Sequence, residues 1–279
     1  TTKQAERTKN MKEQVKDKLY ELFSLEGKVI LMTGAAGAIG RVLAKGMAQA
    51  GGTMMLCDRE KDGLEELRKE ILQEGGKGET YVLDVTDLAN IEETTEKIIR
   101  EYGQIDVLVN LAGINKRVAL LEGDEETFDR IIDVNLKGTY FMSQAVAKHM
   151  KEKQKGSIIN VTSYNAVMML GGNGVYGASK SGVAALTRSQ AIEWAKYGIR
   201  SNALSPGHIS TRLTAQLWED PMRSKYMLDR IAMARLGKPE DLLGMTILLA
   251  SDASAYMSGM MYHVDGGCLA GGQPWEIKG

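Results

Sequence analysis

The chain has 279 residues, 43% hydrophobic and 25% charged, enough to bury the core of one large α/β domain. Its 35 basic and 36 acidic residues leave no basic excess to hold a phosphate backbone, so a nucleic-acid partner is not expected. Cys57 and Cys268 are too few for a disulfide framework, and no apolar run reaches the roughly 18 residues of a membrane span. Free thiols, no membrane partner and a cytoplasmic location are expected, since the beginning of the chain is charged rather than signal-like.

Residues 1–24 are dense in Lys and Glu, yet Met11, Val15, Leu19 and Leu22 fall on one helical face. An amphipathic helical extension that docks elsewhere is expected, as a packing or oligomer contact. From residue 25 to 279, short apolar runs alternate with helix-length amphipathic stretches. Strands are expected at 28–33, 53–57, 79–83, 106–110, 157–162, 199–204 and 260–264. Helices are expected near 38–50, 60–74, 88–102, 124–151, 175–197 and 239–250. That order predicts a single doubly wound α/β domain, a seven-stranded parallel sheet flanked by helices. The stretch 206–236, with Pro206-Gly207, Trp218 and Pro221, breaks the rhythm after a strand end and is expected to form a substrate lid.

The first strand runs through Thr33-Gly34-Ala35-Ala36-Gly37-Ala38-Ile39-Gly40 into a helix. Such a turn lets a pyrophosphate approach the helix N-terminus, where free N–H groups and the dipole favour an anion. Asp58 follows 18 residues later, at the end of the second strand. A carboxylate there accepts bonds from ribose hydroxyls and repels a 2'-phosphate, which favours NAD over NADP. Arg59 beside it is the complication, because a guanidinium can pair with that phosphate. Asp84 and Val85 follow the third strand, where a carboxylate and an N–H can read adenine. Asp87 fits the cap of the next helix better than Asp84 does. Asn110, Ala112 and Gly113 lie where the fourth strand ends, beside the expected cofactor path.

Ser163 ends the fifth strand, with Tyr176 13 residues on and Lys180 four further, which puts phenol and ammonium on one helix face. A useful tyrosine base near pH 7 needs its pKa lowered by about 3 units, or about 4 kcal/mol, which a close ammonium and an oxidised nicotinamide can supply. His149 and His263 read as structural, and the three histidines show no metal-ligand spacing, so no metal is expected.

With these motifs in order, the chain resembles the short-chain dehydrogenase/reductase family over residues 25–268. The match comprises the Thr33–Gly40 turn, Asp84-Val85, Asn110 to Gly113, Asn135 in Val134-Asn135-Leu136, Ser163, Tyr176 with Lys180, Pro206-Gly207 and Val264-Asp265-Gly266-Gly267. The resemblance implies a Rossmann fold and four catalytic residues: Ser163 polarising the substrate oxygen, Tyr176 transferring the proton, Lys180 on the nicotinamide ribose, and Asn135 anchoring a water relay. It also implies a carboxamide clamp from Pro206 and Gly207 to Ile209 and Thr211, and a homotetramer. Ala38 and Leu111 depart from the family pattern, where glycine and a second asparagine are usual. Altered cofactor affinity or stability is the expected result.

A finer resemblance, through Gly113-Ile114-Asn115-Lys116-Arg117-Val118 and Arg235-Leu236-Gly237-Lys238-Pro239, is to the sugar-acid and polyol branch, such as gluconate 5-dehydrogenase and 2-dehydro-3-deoxygluconate dehydrogenase. Arg117 can hold a carboxylate by a two-pronged pair, and Asn115, Lys116, Asn165 and His208 can hold hydroxyls. The leading expectation is an NAD-dependent dehydrogenase for a sugar acid or polyol. An NADPH-dependent carbonyl or 3-oxoacyl-carrier-protein reductase is the second, and an inactive cofactor-binding regulator the third.

Overall fold

The computed structural model of the protein describes residues 15–211 and 220–273. Strands β1 (Val29–Thr33), β2 (Thr53–Asp58), β3 (Lys77–Val82), β4 (Val107–Asn110), β5 (Gly156–Val161), β6 (Ile199–Pro206) and β7 (Met261–Val264) form one sheet. Their order is β3-β2-β1-β4-β5-β6-β7, and every neighbouring pair is parallel. All residues of β1, β4 and β5 are buried, which is why these segments read as mostly apolar runs, with Thr33, Asn110, Ser157 and Asn160 as buried polar members, instead of alternating ones.

Between the strands lie α2 (Ala38–Gln49), α3 (Lys61–Gln73), α4 (Leu88–Tyr102), α5 (Glu125–Ile132), α6 (Gly138–Lys153) and α7 (Gly174–Trp194), preceded by α1 (residues 15–23). One apolar layer joins α2, α3 and the helix Leu243–Ala250 to the sheet, through residues such as Leu43, Leu67 and Leu249. The other joins α4 and α6 to the opposite face through Ile91, Ile98, Met142 and Val146. The chain order reverses between β1 and β4, opening the crevice at the carboxyl ends of the strands where doubly wound folds bind ligands.

Three local features matter for the site. Asp87 caps α4 by accepting the Asn90 N–H, and β3 ends at Val82, so Asp84 lies past the strand with its carboxylate left for other work. The expected helix 124–151 is interrupted by a π-helical turn, Asp133–Lys137, centred on Asn135. The stripe Val15, Leu19 and Leu22 on α1 remains 54%, 53% and 37% exposed, so among the described residues that face is not covered; Met11 lies outside the described residues.

The segment expected as a lid leaves and rejoins the body at one place. Ile209 pairs with Gly237 in an isolated parallel bridge, the Ser210 N–H donates to the Gly237 carbonyl, and the Gly237 N–H donates to the His208 carbonyl. Helix Pro221–Leu228 lies within that excursion, and Trp218 falls outside the described residues. No helix among the described residues is long and apolar enough to cross a membrane.

Candidate active site

Gly34 ends β1 with φ +70°, and a Cβ there would lie 2.8 Å from the Ala112 amide nitrogen. Only glycine allows this close pass between the turn and the segment after β4. Thr33 reinforces it, its hydroxyl oxygen accepting the Leu111 and Ala112 N–H groups at 3.2 Å each. Helix α2 then starts at Ala38 with Gly37 before it and no side-chain cap, leaving its first N–H groups directed at the crevice.

A cavity of about 310 Å³ lies against that helix end, lined among others by Gly34, Gly37, Ala38, Ile39, Asp58, Arg59, Asp84, Val85, Ala112, Gly113 and Thr211. The Asp58 carboxylate is pinned at the edge of this cavity by the Ala36 N–H (3.1 Å) and the Glu60 N–H (3.2 Å). Asp84 holds the Thr86 amide and hydroxyl, and Arg59 stands 3.7 Å from its carboxylate. Burial pushes the Asp84 pKa up, but the Thr86 bonds and the Arg59 charge together hold it below its ordinary value. A capless helix N-terminus, a glycine cradle and a carboxylate at the far strand end together fit a dinucleotide.

Two expected cofactor residues stand elsewhere. Ala36 acts through its backbone N–H on Asp58. The Asn110 side chain turns into the interior, donating to Ser143 Oγ and Asn160 Oδ1 at 2.8 Å each. It thereby ties β4 to β5.

A second cavity of about 310 Å³ continues from the first through Ile39, Leu111, Gly113, Ile114 and Thr211, and contains Ser163, Tyr176 and Lys180. The Asn165 N–H donates to Ser163 Oγ at 3.1 Å. The Tyr176 phenol is raised by burial and drawn back down by hydrogen bonding with Ser163. Lys180 is 4% exposed, donates to the Val161 carbonyl at 2.8 Å, and has its ammonium 5.8 Å from the Tyr176 ring centre. Burial lowers its pKa from 10.5 to about 8. Pro206, Gly207 and Ile209 form the wall after β6.

Asn135 lines neither cavity and stands behind them. It is fully buried, donates to the Ile114 carbonyl (2.9 Å) and Ser179 Oγ (3.0 Å), and accepts the Ile114 N–H (2.8 Å). The π-helical turn is what swings this amide across to the segment after β4, and such turns gather at functional sites.

The far end of the reactive cavity is polar. Arg117 lines it and pairs with no carboxylate among the described residues. His208 lines it too, its pKa pushed down to about 4 by burial and then by the Arg117 charge. Asn165 faces the cavity, but its amide is committed, donating to the Met168 carbonyl and accepting from Asn173, so it shapes the loop. Lys116 turns away to Thr127 Oγ1 at 2.8 Å, beside the start of α5. Tyr164, which the sequence reading passed over, is 5% exposed and packs its ring on His208 at 4.7 Å. Its only sequence signal is adjacency to Ser163.

The fold and crevice define a dinucleotide-binding oxidoreductase. A family model described as enoyl-(acyl carrier protein) reductase matches residues 34–268. The chain is 43% identical over 245 residues to a 3-oxoacyl-(acyl-carrier-protein) reductase of Thermotoga maritima, covering 88% of this chain and 99% of the relative. It is 42% identical to a 2-dehydro-3-deoxy-D-gluconate 5-dehydrogenase of Escherichia coli K12, with 90% and 99% covered. A crystal structure of a gluconate 5-dehydrogenase from Burkholderia cenocepacia J2315, in complex with NADP and tartrate, superposes with a TM-score of 0.87 at 34% identity, over 90% of this chain and 99% of that one. The chain belongs to the short-chain dehydrogenase/reductase family, and the expected seven-stranded doubly wound fold is the one observed.

Proposed function

We propose that the protein is a dehydrogenase/reductase interconverting an alcohol and a ketone on a sugar acid, with Tyr176 as the proton-transferring residue. The observation that carries this reading is an exposed-cation end to the reactive cavity, Arg117, facing Ser163 and Tyr176 across the same space. The nicotinamide, when bound, accepts or supplies the hydride. Ser163, its oxygen already holding the Asn165 N–H, donates a hydrogen bond to the substrate oxygen and positions it. Tyr176 takes the hydroxyl proton in oxidation and returns it in reduction. Lys180 stabilises the phenolate by charge, and Asn135 holds the Ile114 segment that backs the ammonium and lines the cavity. A guanidinium fork in a partly apolar cavity recognises a carboxylate by two parallel hydrogen bonds.

Arg117→Ala is expected to raise KM for an acidic substrate about tenfold or more and to leave a neutral polyol nearly unaffected, because hydrogen bonds to charged groups are worth about 1.5–3 kcal/mol. Steady-state kinetics on such a pair decides it; equal changes remove the carboxylate reading. The 3-oxoacyl reductase alternative, which the Thermotoga relative keeps in view, predicts that neither the acid nor the polyol turns over while a 3-oxoacyl thioester does.

For the cofactor, the pinned Asp58 favours NAD, and Arg59, 58% exposed at its side chain, offers a partner to a 2'-phosphate. The reading is NAD preferred with NADP accepted, consistent with a relative that was crystallised with NADP. Asp58→Ala is expected to shift the NADP/NAD ratio of kcat/KM about tenfold towards NADP, the removal of one close like charge being worth about 1–2 kcal/mol. An unchanged ratio would take Asp58 out of the ribose site. The homotetramer and the lid role of 206–236 belong to this reading as family features.

A further inference from the structure

Resting on the sugar-acid reading, we propose that Asn173 is a positioning residue: it sets the span between Arg117 and the Ser163–Tyr176 pair, and so aligns the reacting carbon of a substrate held by its carboxylate. Asn173 immediately precedes α7, whose Tyr176 and Lys180 line the reactive cavity, and it lines that cavity itself. An asparagine in that place usually accepts an N–H of the first helical turn with its side chain. Asn173 makes no such cap, although it is only 3% exposed. Its amide is engaged instead by two other segments of the site.

Three amides form a one-way chain. Asn165 Nδ2 donates to the Met168 carbonyl (2.9 Å), Asn173 Nδ2 to Asn165 Oδ1 (3.2 Å), and Asn115 Nδ2 to Asn173 Oδ1 (3.3 Å). A carbonyl only accepts, so Met168 fixes which end of the Asn165 amide carries hydrogen and, through it, the orientation of the other two. The chain ends at a reacting group, since the Asn165 N–H holds Ser163 Oγ at 3.1 Å.

At its other end lies the arginine. Arg117 sits between two contacts to the entry of α7: Asn115 on Asn173, and the Val118 N–H on the Gly172 carbonyl at 3.0 Å. Gly172 has φ +79°, and a Cβ there would stand 3.5 Å from the Arg117 Cβ. The Asn173 carbonyl meanwhile accepts the Gly177 N–H at 2.8 Å, in the turn that carries Tyr176. One residue thus joins the segments that bear Arg117, Ser163 and Tyr176. A substrate gripped at its carboxylate meets the phenol at a distance these joints set, whereas a neutral substrate settles by its reacting end alone. Misplacement by about 1 Å costs up to about 10²-fold in rate.

The test compares kcat for an aldonate and for the neutral polyol of the same length, both oxidised at the same carbon, in the intact protein. Asn173→Leu, close in shape but without the amide, is expected to lower the acid-to-polyol ratio of kcat about tenfold or more. KM for the acid is expected to change by less than about threefold, because Arg117 still holds the carboxylate. In an Arg117→Ala background the same substitution is expected to change the kcat ratio by less than about twofold, since the grip it aligns is gone. A merely structural role slows both substrates together and leaves the ratio where it was, and that result overturns the inference; so does an equal fall of the ratio in the two backgrounds. Asn173→Ala removes the same amide and supplies the measurement if Asn173→Leu fails to fold. Arg117→Ala alone separates the two levels: equal effects on acidic and neutral substrates sink the sugar-acid reading and this inference with it. An acid-specific effect there, with no ratio change at Asn173, sinks only the present inference.

Discussion

Tyr176→Phe is expected to bind the cofactor within about a factor of two of the wild type while turning over about 10²- to 10⁴-fold more slowly, the worth of a positioned acid/base. The change removes one oxygen from a phenol hydrogen-bonded to Ser163 and leaves the ring in place. Cofactor binding followed by nicotinamide fluorescence, beside turnover followed by absorbance of the reduced cofactor, separates the two effects. Retained turnover would sink the proton-transfer assignment. In the wild type, oxidation is expected to accelerate as pH rises, because the base must shed its proton before it can take one from the substrate.

Lys180→Met is expected to abolish most activity and yet to stabilise the cofactor-free protein. The lysine carries its charge at 4% exposure, and burial alone lowers its pKa to about 8 from 10.5. Between those values the unfolded chain binds a proton that the folded chain does not, so stability rises with pH across that window. Below pH 8 the penalty is fully present, and its size is about 3 kcal/mol. Loss of the bond to the Val161 carbonyl offsets about 1 kcal/mol of the gain. A net gain of about 2 kcal/mol is expected at pH 7, roughly a 4–8 °C rise in Tm for a chain of this size. The rise should shrink towards pH 10. A lower Tm at pH 7 would mean that the ammonium is compensated in the fold.

The sheet was legible because a strand covered on both faces is apolar at most positions, as residues 29–32 and 107–109 are ahead of the closing Thr33 and Asn110. The reacting group was legible because i and i+4 spacing puts Tyr176 and Lys180 on one face whatever surrounds them. What escaped depends on the third dimension. The π-helical turn at Asn135 lies in a segment whose helical periodicity continues on both sides, and the partner its amide reaches, Ile114, is 21 residues away. Lys116 and Arg117 are adjacent cations, and only the position of Thr127 shows which one leaves the cavity. Asn165 and Asn110 carry amides suited to a ligand, but other buried polar groups claim them first. Tyr164, an aromatic next to a strand end, reads as core until its neighbour His208 is seen.

The close pass between Gly34 and Ala112 also divides the cofactor turn by what each position can tolerate over evolutionary time. A side chain at 34 would displace the backbone of another segment, and one at 40 would collide with the carbonyls of Gly34 and Ala35. Neither collision is relieved by changing a single partner, because the obstacles are main-chain atoms. Positions 37 and 38 are exposed; at 37 φ is −67° and a Cβ would stand 3.3 Å from the Gly34 carbonyl oxygen, a tighter fit than at 38, where the side chain faces outward. Ala38, where relatives usually carry glycine, falls on the permissive side of that division. Substitutions in this turn are thereby expected to be tolerated at the positions that adjust the grip on the dinucleotide and not at those that shape the crevice.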